Sequence, residues 1–312
     1  MLTDHTLFAA ADLGSNSFHM IVARCTGGRF TVIDRARTVV RLAAGIDKRG
    51  GLEPETRQRA LEALRQFRIH LLKVPPSNVR VVGTSGVRRL DDQGSFVTEA
   101  SEILGLPIEI ITGEEEARLI NLGVAGTGKD EGVVRLIVDI GGGSTEIIVA
   151  RDRTILVAES LPMGCVVFSN LFFRNGKITP LLFAEAQKAA DNTLKAVWDR
   201  FSGMTWHDVI GTSGTIKTTR KVITSQGWGD KEITMDTLDK VIGAMINTES
   251  VDKLHSLKGL PQDRASVFPG GLAILRSVMR RFSIKSVKVS KAAMREGIIL
   301  DLSRDSGFPC NA

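Results

Sequence analysis

The chain carries one short stretch whose residue types could do phosphate chemistry. Asp139 ends an apolar run (Val133, Val134, Leu136, Ile137, Val138) and is followed by Ile140, the triplet Gly141, Gly142, Gly143, and then Ser144, Thr145 and Glu146. Three consecutive glycines let backbone N–H groups approach an anion with no Cβ in the way. An aspartate at a strand end can hold a cation directly or through water, and the hydroxyls of Ser144 and Thr145 add donors. A ligand-free glycine hairpin would explain one such stretch. It explains two less well, and the pattern recurs from Asp12 to Val22, 127 positions earlier, as Asp12-Leu13-Gly14-Ser15-Asn16-Ser17 before a second apolar run. Gly83-Thr84-Ser85-Gly86 and Gly211-Thr212-Ser213-Gly214 form another pair at nearly the same spacing. Two pairs at nearly one offset indicate an internal duplication. Each half then carries an aspartate-tipped phosphate turn and a strand ending in Gly-Thr-Ser-Gly. Two such halves facing each other would make a cleft with a phosphate loop on each wall.

Three further places bear on chemistry. Arg88 and Arg89 follow the first Gly-Thr-Ser-Gly turn, where a guanidinium suits bidentate phosphate binding or simply a surface helix end. Glu114, Glu115 and Glu116 follow Thr112 directly after a strand end. Thr112 can cap a helix, and acids favour its first turn. α/β folds also place ligands at such strand ends, so a carboxylate there could serve as general base for a water. Arg35, Arg37 and Arg41 read equally as a solvated strand face or as an anion site. Gly123 to Lys129 matches G-x-x-x-x-G-K, but Asp130 stands where a phosphate loop needs Ser or Thr. The run also follows a helix instead of a strand, so it reads as an interdomain linker.

The elements that must position these residues are legible from periodicity. Phe8–Asp12, Phe18–Arg24 and Phe30–Ile33 read as strands, and Ala60, Leu64, Phe67 and Leu71 mark one face of a helix opened by Pro54. Val79–Val82, Ile108–Ile111, Ile147–Ala150, Thr154–Ser160, Val209-Ile210 and Val287–Val289 read as further strands. Helices are expected after Thr112, Thr179-Pro180, Thr234 and Pro269, and over Met294–Leu302. Expected domain bounds are 1–126 and 127–296, with a C-terminal helix over about 297–312 packing back on the first.

At 312 residues with 43% hydrophobic and 24% charged content, two domains each have enough apolar residues for a core. Neither a long apolar run nor a charged leader with an apolar block is present, so a cytoplasmic protein without a membrane partner is expected. Cys25, Cys165 and Cys310 are widely spaced and read as reduced thiols. The five histidines show no metal-ligand spacing. The net charge of +6 suits an anionic partner, while the scattered basic residues do not form a nucleic-acid surface.

In this order, the runs Asp12–Met20, Gly113–Ile120, Asp139–Glu146, Met163-Gly164-Cys165, Gly211–Thr215 and Arg295-Glu296-Gly297 resemble the exopolyphosphatase / guanosine pentaphosphate phosphatase family, over nearly the whole chain. The resemblance implies an α/β fold of duplicated ribonuclease-H-like (actin/Hsp70/sugar-kinase) domains around a central cleft. It implies hydrolysis of a terminal phosphoanhydride of inorganic polyphosphate or of pppGpp, with Mg2+ or another divalent cation, by a homodimer. Glu116 would activate water. Asp139 and Glu146 would hold the metal and orient that water, with Asp12 opposite. Gly14, Ser15, Asn16, Gly141, Gly142, Gly143 and Ser144 would bind phosphoryl oxygens, and Arg88 would contact the phosphate chain. Two departures stand out. Ser290-Lys291-Ala292-Ala293 replaces an Asp-Gly pair common in relatives, and the chain lacks the helical C-terminal extension of larger members, resembling the short two-domain form. An ATP-dependent kinase and a non-catalytic nucleotide-sensing or filament protein are the alternatives on the same fold.

Overall fold

The computed structural model describes residues 6–311 except 48, 127–131, 231 and 309. It begins with β1 (Thr6–Leu13), β2 (Ser17–Thr26) and β3 (Arg29–Val39), then α1 (Pro54–Leu71), β4 (Val79–Gly83), α2 (Ser85–Arg88), α3 (Gln93–Leu104), β5 (Ile108–Ile110) and α4 (Gly113–Gly126). There follow β6 (Val134–Ile140), β7 (Thr145–Arg151), β8 (Thr154–Leu161), α5 (Cys165–Phe172), α6 (Pro180–Val197), β9 (Asp208–Thr212), α7 (Ser213–Ser225), β10 (Glu232–Thr234), α8 (Met235–Ile246), α9 (Phe268–Arg281), β11 (Ser286–Val289) and α10 (Met294–Asp305). The chain divides into two compact units, residues 1–129 with 292–312 and residues 130–291.

The first unit is a five-stranded mixed sheet in the order β3-β2-β1-β4-β5. β1, β2 and β3 run antiparallel, while β1, β4 and β5 are parallel. β1 is central, so its interior residues Phe8 to Ala11 are fully buried. Pro54 opens α1, which turns Ala60, Leu64 and Phe67 into the core. Gly105, at φ 75°, ends α3 in the left-handed region that a Cβ would disfavour.

The second unit repeats the plan. Its six-stranded sheet has the order β10-β11-β9-β6-β7-β8, so β8-β7-β6-β9-β11 reproduces β3-β2-β1-β4-β5, with β10 added at the edge. Strand directions correspond as well, with β6, β9 and β11 parallel. Every residue of β6 is buried, as a central strand covered on both faces requires. The duplication read from sequence offsets is thus visible in the strand order. Caps follow the sequence cues: Thr179 accepts from the Leu182 N–H ahead of Pro180, and Thr234 and Thr237 form a reciprocal capping box on α8.

Two expectations need correction. Gly123 is not in a linker. It lies inside α4 against α10, where a Cβ would come 2.0 Å from the Ala293 carbonyl oxygen; the later part of that run, from 127, lies outside the described residues. The cysteines are not all free thiols. Cys25 in β2 and Cys310 form a disulfide, with Cα atoms 6.3 Å apart, across 285 residues of chain. The tail is also sewn to the β2–β3 hairpin, as the Phe30 N–H donates to the Asn311 carbonyl and the Asn311 N–H to that of Gly28. Wide spacing in sequence misled because it says nothing of which residues meet when the C-terminal segment packs back on the first unit.

Candidate active site

In the first unit the carboxyl ends of three parallel strands carry the three motifs picked out in the sequence. β1 ends in the Asp12 turn, β4 in Gly83-Thr84-Ser85-Gly86 and β5 in Thr112 and the glutamates, the edge where open α/β sheets bind ligands. The Asp12 turn is held from one side. The Val40 and Arg41 N–H groups donate to the Asn16 carbonyl, and the Ala43 N–H donates to that of Ser15. In a trans peptide, C=O and N–H point in opposite directions, so the N–H groups of Asn16 and Ser17 are turned away from this segment. Ser15, Asn16 and Ser17 are all buried. Gly86 must be glycine here, because a Cβ would lie 2.9 Å from Ser15 Cα.

The structure sorts the three glutamates of α4. Glu114 is exposed. Glu115 accepts from Arg80 and Arg118, which also bind Asp301 of α10. Arg118 first, and Arg80 with it, hold the Glu115 carboxyl below its ordinary range. Glu116 is the buried one, 8% exposed, and Arg88 Nη1 and Nη2 both donate to its Oε2 at 3.1 Å. Thr112 caps the helix by accepting from the Glu115 N–H at 3.1 Å. A cap thus accounts for Thr112, and an ion-pair network accounts for Glu115. Neither accounts for Glu116 being buried at a strand end.

The second unit builds its turn by the same device. The Cys165 N–H donates to the Gly141 carbonyl, and those of Val166 and Val167 donate to the Gly142 carbonyl, which turns the N–H groups of Gly142 and Gly143 away from α5. Gly164 makes the approach possible, since a Cβ there would lie 2.3 Å from the Gly142 carbonyl oxygen. Asp139 and Glu146 stand opposite each other in the β6–β7 register and so share a sheet face, both buried. Thr212 and Ser213 donate their hydroxyls to Asp139 Oδ2 at 2.5 and 2.7 Å, and Ser160 donates to Glu146 Oε1 at 2.8 Å.

Here the two halves diverge. Leu13 pairs with Gly83, but Val138 pairs with Gly211, so the second Gly-Thr-Ser-Gly turn sits two residues deeper beside its aspartate. That shift keeps the face of every side chain, because the strand period is two. It brings Thr212 level with Asp139 and leaves Asp12 level with Val82. Ser213 adopts φ 64°, a left-handed conformation unusual for a residue with a Cβ, and from it reaches the carboxylate.

Sequence reading missed Arg264. Its guanidinium lies against the first turn of α7, where a Cβ on Gly214 would meet three of its atoms at 2.3–2.4 Å. Its charge also acts on the Cys165 thiol, although burial dominates and pushes that thiol upward. Nothing in the run around Arg264 announces this; the signal was Gly214, whose missing side chain makes the room. Lys291 stands past the end of β11, and its carbonyl accepts from Lys217 Nζ at 3.2 Å. Arg35 and Arg37 lie exposed on β3, with Arg37 Nη2 3.4 Å from Ser17 Oγ.

Within the second unit, Asp139 and Glu146 are oxygen donors on one sheet face, a chemistry that suits a hard divalent cation. In the first unit, the turn that carries Asp12 also holds Asn16, whose Oδ1 is buried without a hydrogen-bond partner. Among the described residues no group of three or more His, Cys, Asp or Glu is gathered as a metal cage. Mg2+ bound by one or two carboxylates, with waters and substrate phosphates as its other ligands, needs none. No helix among the described residues is long and apolar enough to cross a membrane.

Comparison with known proteins places the chain among phosphatases. The Ppx/GppA phosphatase family matches residues 21–305. A Haemophilus influenzae protein provisionally named an exopolyphosphatase is 40% identical over 297 residues, 95% of this chain and 91% of that one. An Aeromonas salmonicida guanosine-5'-triphosphate,3'-diphosphate pyrophosphatase is 38% identical over 296 residues; this covers 95% of the present chain but 59% of that protein. The crystal structure of an exopolyphosphatase-like protein superposes with a TM-score of 0.88 at 25% identity, covering 97% of this chain and 99% of that one.

Proposed function

The chain belongs to the Ppx/GppA phosphatase family, and from that premise we propose that it removes the terminal phosphate of inorganic polyphosphate by hydrolysis. Glu116 takes a proton from the attacking water. The N–H groups and hydroxyls of Gly14, Ser15 and Asn16, and of Gly141, Gly142, Gly143 and Ser144, bind phosphoryl oxygens. Arg88 and Arg264 add guanidinium charge. Asp139 and Glu146, with Asp12, would hold Mg2+, which when bound neutralises phosphoryl oxygens. Phosphoryl transfer asks mainly for positioning and charge neutralisation, which this donor set suits. The observation that carries the reading is Glu116, a buried carboxylate on the first turn of α4.

A second substrate, pppGpp, has a specific ground. The Aeromonas salmonicida relative is named for it and matches 95% of this chain. Homodimerisation and a cytoplasmic location remain proposals, the first from the resemblance and the second from the sequence reading. Phosphate release from short polyphosphate, long polyphosphate and pppGpp, measured in parallel with Mg2+, ranks the substrates. Glu116→Gln is expected to lower turnover by about 10²–10⁴-fold, the usual worth of a general base, with phosphate-chain binding retained. Near-normal turnover in that variant would remove Glu116 from its role, and no release from any of the three would remove the reading.

A further inference from the structure

We infer that Arg88 is a positioning residue for Glu116, acting on turnover through that carboxylate over and above any grip on phosphate; this rests on the reading of Glu116 as general base. Arg88 Nη1 donates to the Ile111 carbonyl at 2.6 Å and to Glu116 Oε2 at 3.1 Å, and Nη2 donates to the same Oε2 at 3.1 Å. Ile111 lies between the end of β5 and the Thr112 cap of α4. One guanidinium therefore ties the connection that launches the helix to the carboxylate on its first turn. The backbone of Arg88 is itself fixed, its N–H donating to the Thr84 carbonyl within the turn that packs on Ser15.

A glutamate side chain keeps up to about 1.5–2 kcal/mol of rotamer entropy when nothing holds it. A planar fork anchored at a backbone carbonyl removes that freedom at one oxygen. Lysine carries the same charge but has no fork, so it cannot reproduce two N–H donors aimed at one oxygen while a third is spent on Ile111. Positional error at a reacting group is costly: about 1 Å of misplacement can cost roughly 10²-fold in rate. The pairing is also sheltered, with 25% of the Arg88 side chain and 11% of that of Glu116 exposed.

The test separates turnover from binding. Arg88→Lys keeps the charge that attracts phosphate. It is expected to lower kcat by roughly ten- to a hundred-fold while KM for polyphosphate stays within about threefold. In a Glu116→Gln background the same substitution should cause no further loss of residual kcat, because the partner through which it acts is gone. A raised KM with kcat retained would show a phosphate contact only and overturn the inference, as would an undiminished loss in the Glu116→Gln background. If Arg88→Lys does not fold, Arg88→Gln is read by kcat at saturating substrate, with the same two outcomes. Failure of the Glu116 reading looks different: Glu116→Gln alone then stays active.

Discussion

Gly297→Ala should loosen the first unit and disturb Glu116 from a distance. Gly297 in α10 and Gly123 in α4 form a crossing of backbone on backbone. A Cβ on Gly297 would lie 1.9 Å from the Leu119 carbonyl oxygen, and one on Gly123 would lie 2.0 Å from that of Ala293. Carbon–oxygen contacts at such crossings normally run ~3.3–3.6 Å, so the helices must part by about 1.5 Å at that point. Alanine regains about 1 kcal/mol of helix propensity. Overpacking costs typically about 1–3 kcal/mol, and the upper end applies here because a backbone carbonyl cannot swing aside as a side chain can. The balance is a loss of about 2 kcal/mol. Urea unfolding measures it. Because either methyl alone parts the helices, Gly123→Ala/Gly297→Ala should cost less than the sum of the single variants. α4 carries Glu116 on its first turn, so turnover should fall as well. A Gly297→Ala protein as stable and as active as the parent, or fully additive losses, would refute the reasoning.

Thr212→Val removes one of two hydroxyls that hold Asp139 Oδ2; hydrogen bonds to charged groups are worth about 1.5–3 kcal/mol, so the Mg2+ concentration for half-maximal activity should rise, and an unchanged Mg2+ dependence would count against a metal role for Asp139. Cys25→Ser or Cys310→Ser should lower the stability of the first unit by about 2–4 kcal/mol, the usual worth of a disulfide, as read by thermal unfolding with and without reductant. Alkylation of the denatured, unreduced protein should modify Cys165 alone; three modified cysteines would show that the link does not form.

The motifs that make up the candidate site were legible because their signals are local. A glycine turn, an aspartate at a strand end and a threonine before a run of acids each declare themselves within a few residues, and repetition at nearly one offset declares the second copy. The choice among Glu114, Glu115 and Glu116 was a different matter. The resemblance pointed to Glu116, and only the folded chain separates the three in their surroundings: Arg80 and Arg118, with Asp301, engage Glu115, whereas Arg88 pairs with the buried Glu116. Arg264 was invisible because a guanidinium against Gly214 depends on a contact between residues 50 positions apart, with no spacing rule to mark it.

The sequence by itself determined the two-unit α/β plan, the paired aspartate-tipped glycine turns and the helix caps, since turn chemistry, capping and hydrophobic periodicity act over one or two turns of chain. Tertiary structure alone decided the rest. It set the two-residue register shift that gives Asp139 its hydroxyl partners but leaves Asp12 level with Val82, the glycine-on-glycine crossing of α4 and α10, and the return of Cys310 to Cys25. Each of these joins residues far apart in the chain, and their meeting is settled by how strands and helices pack, because packing sums contacts over a whole unit and is encoded in no single stretch.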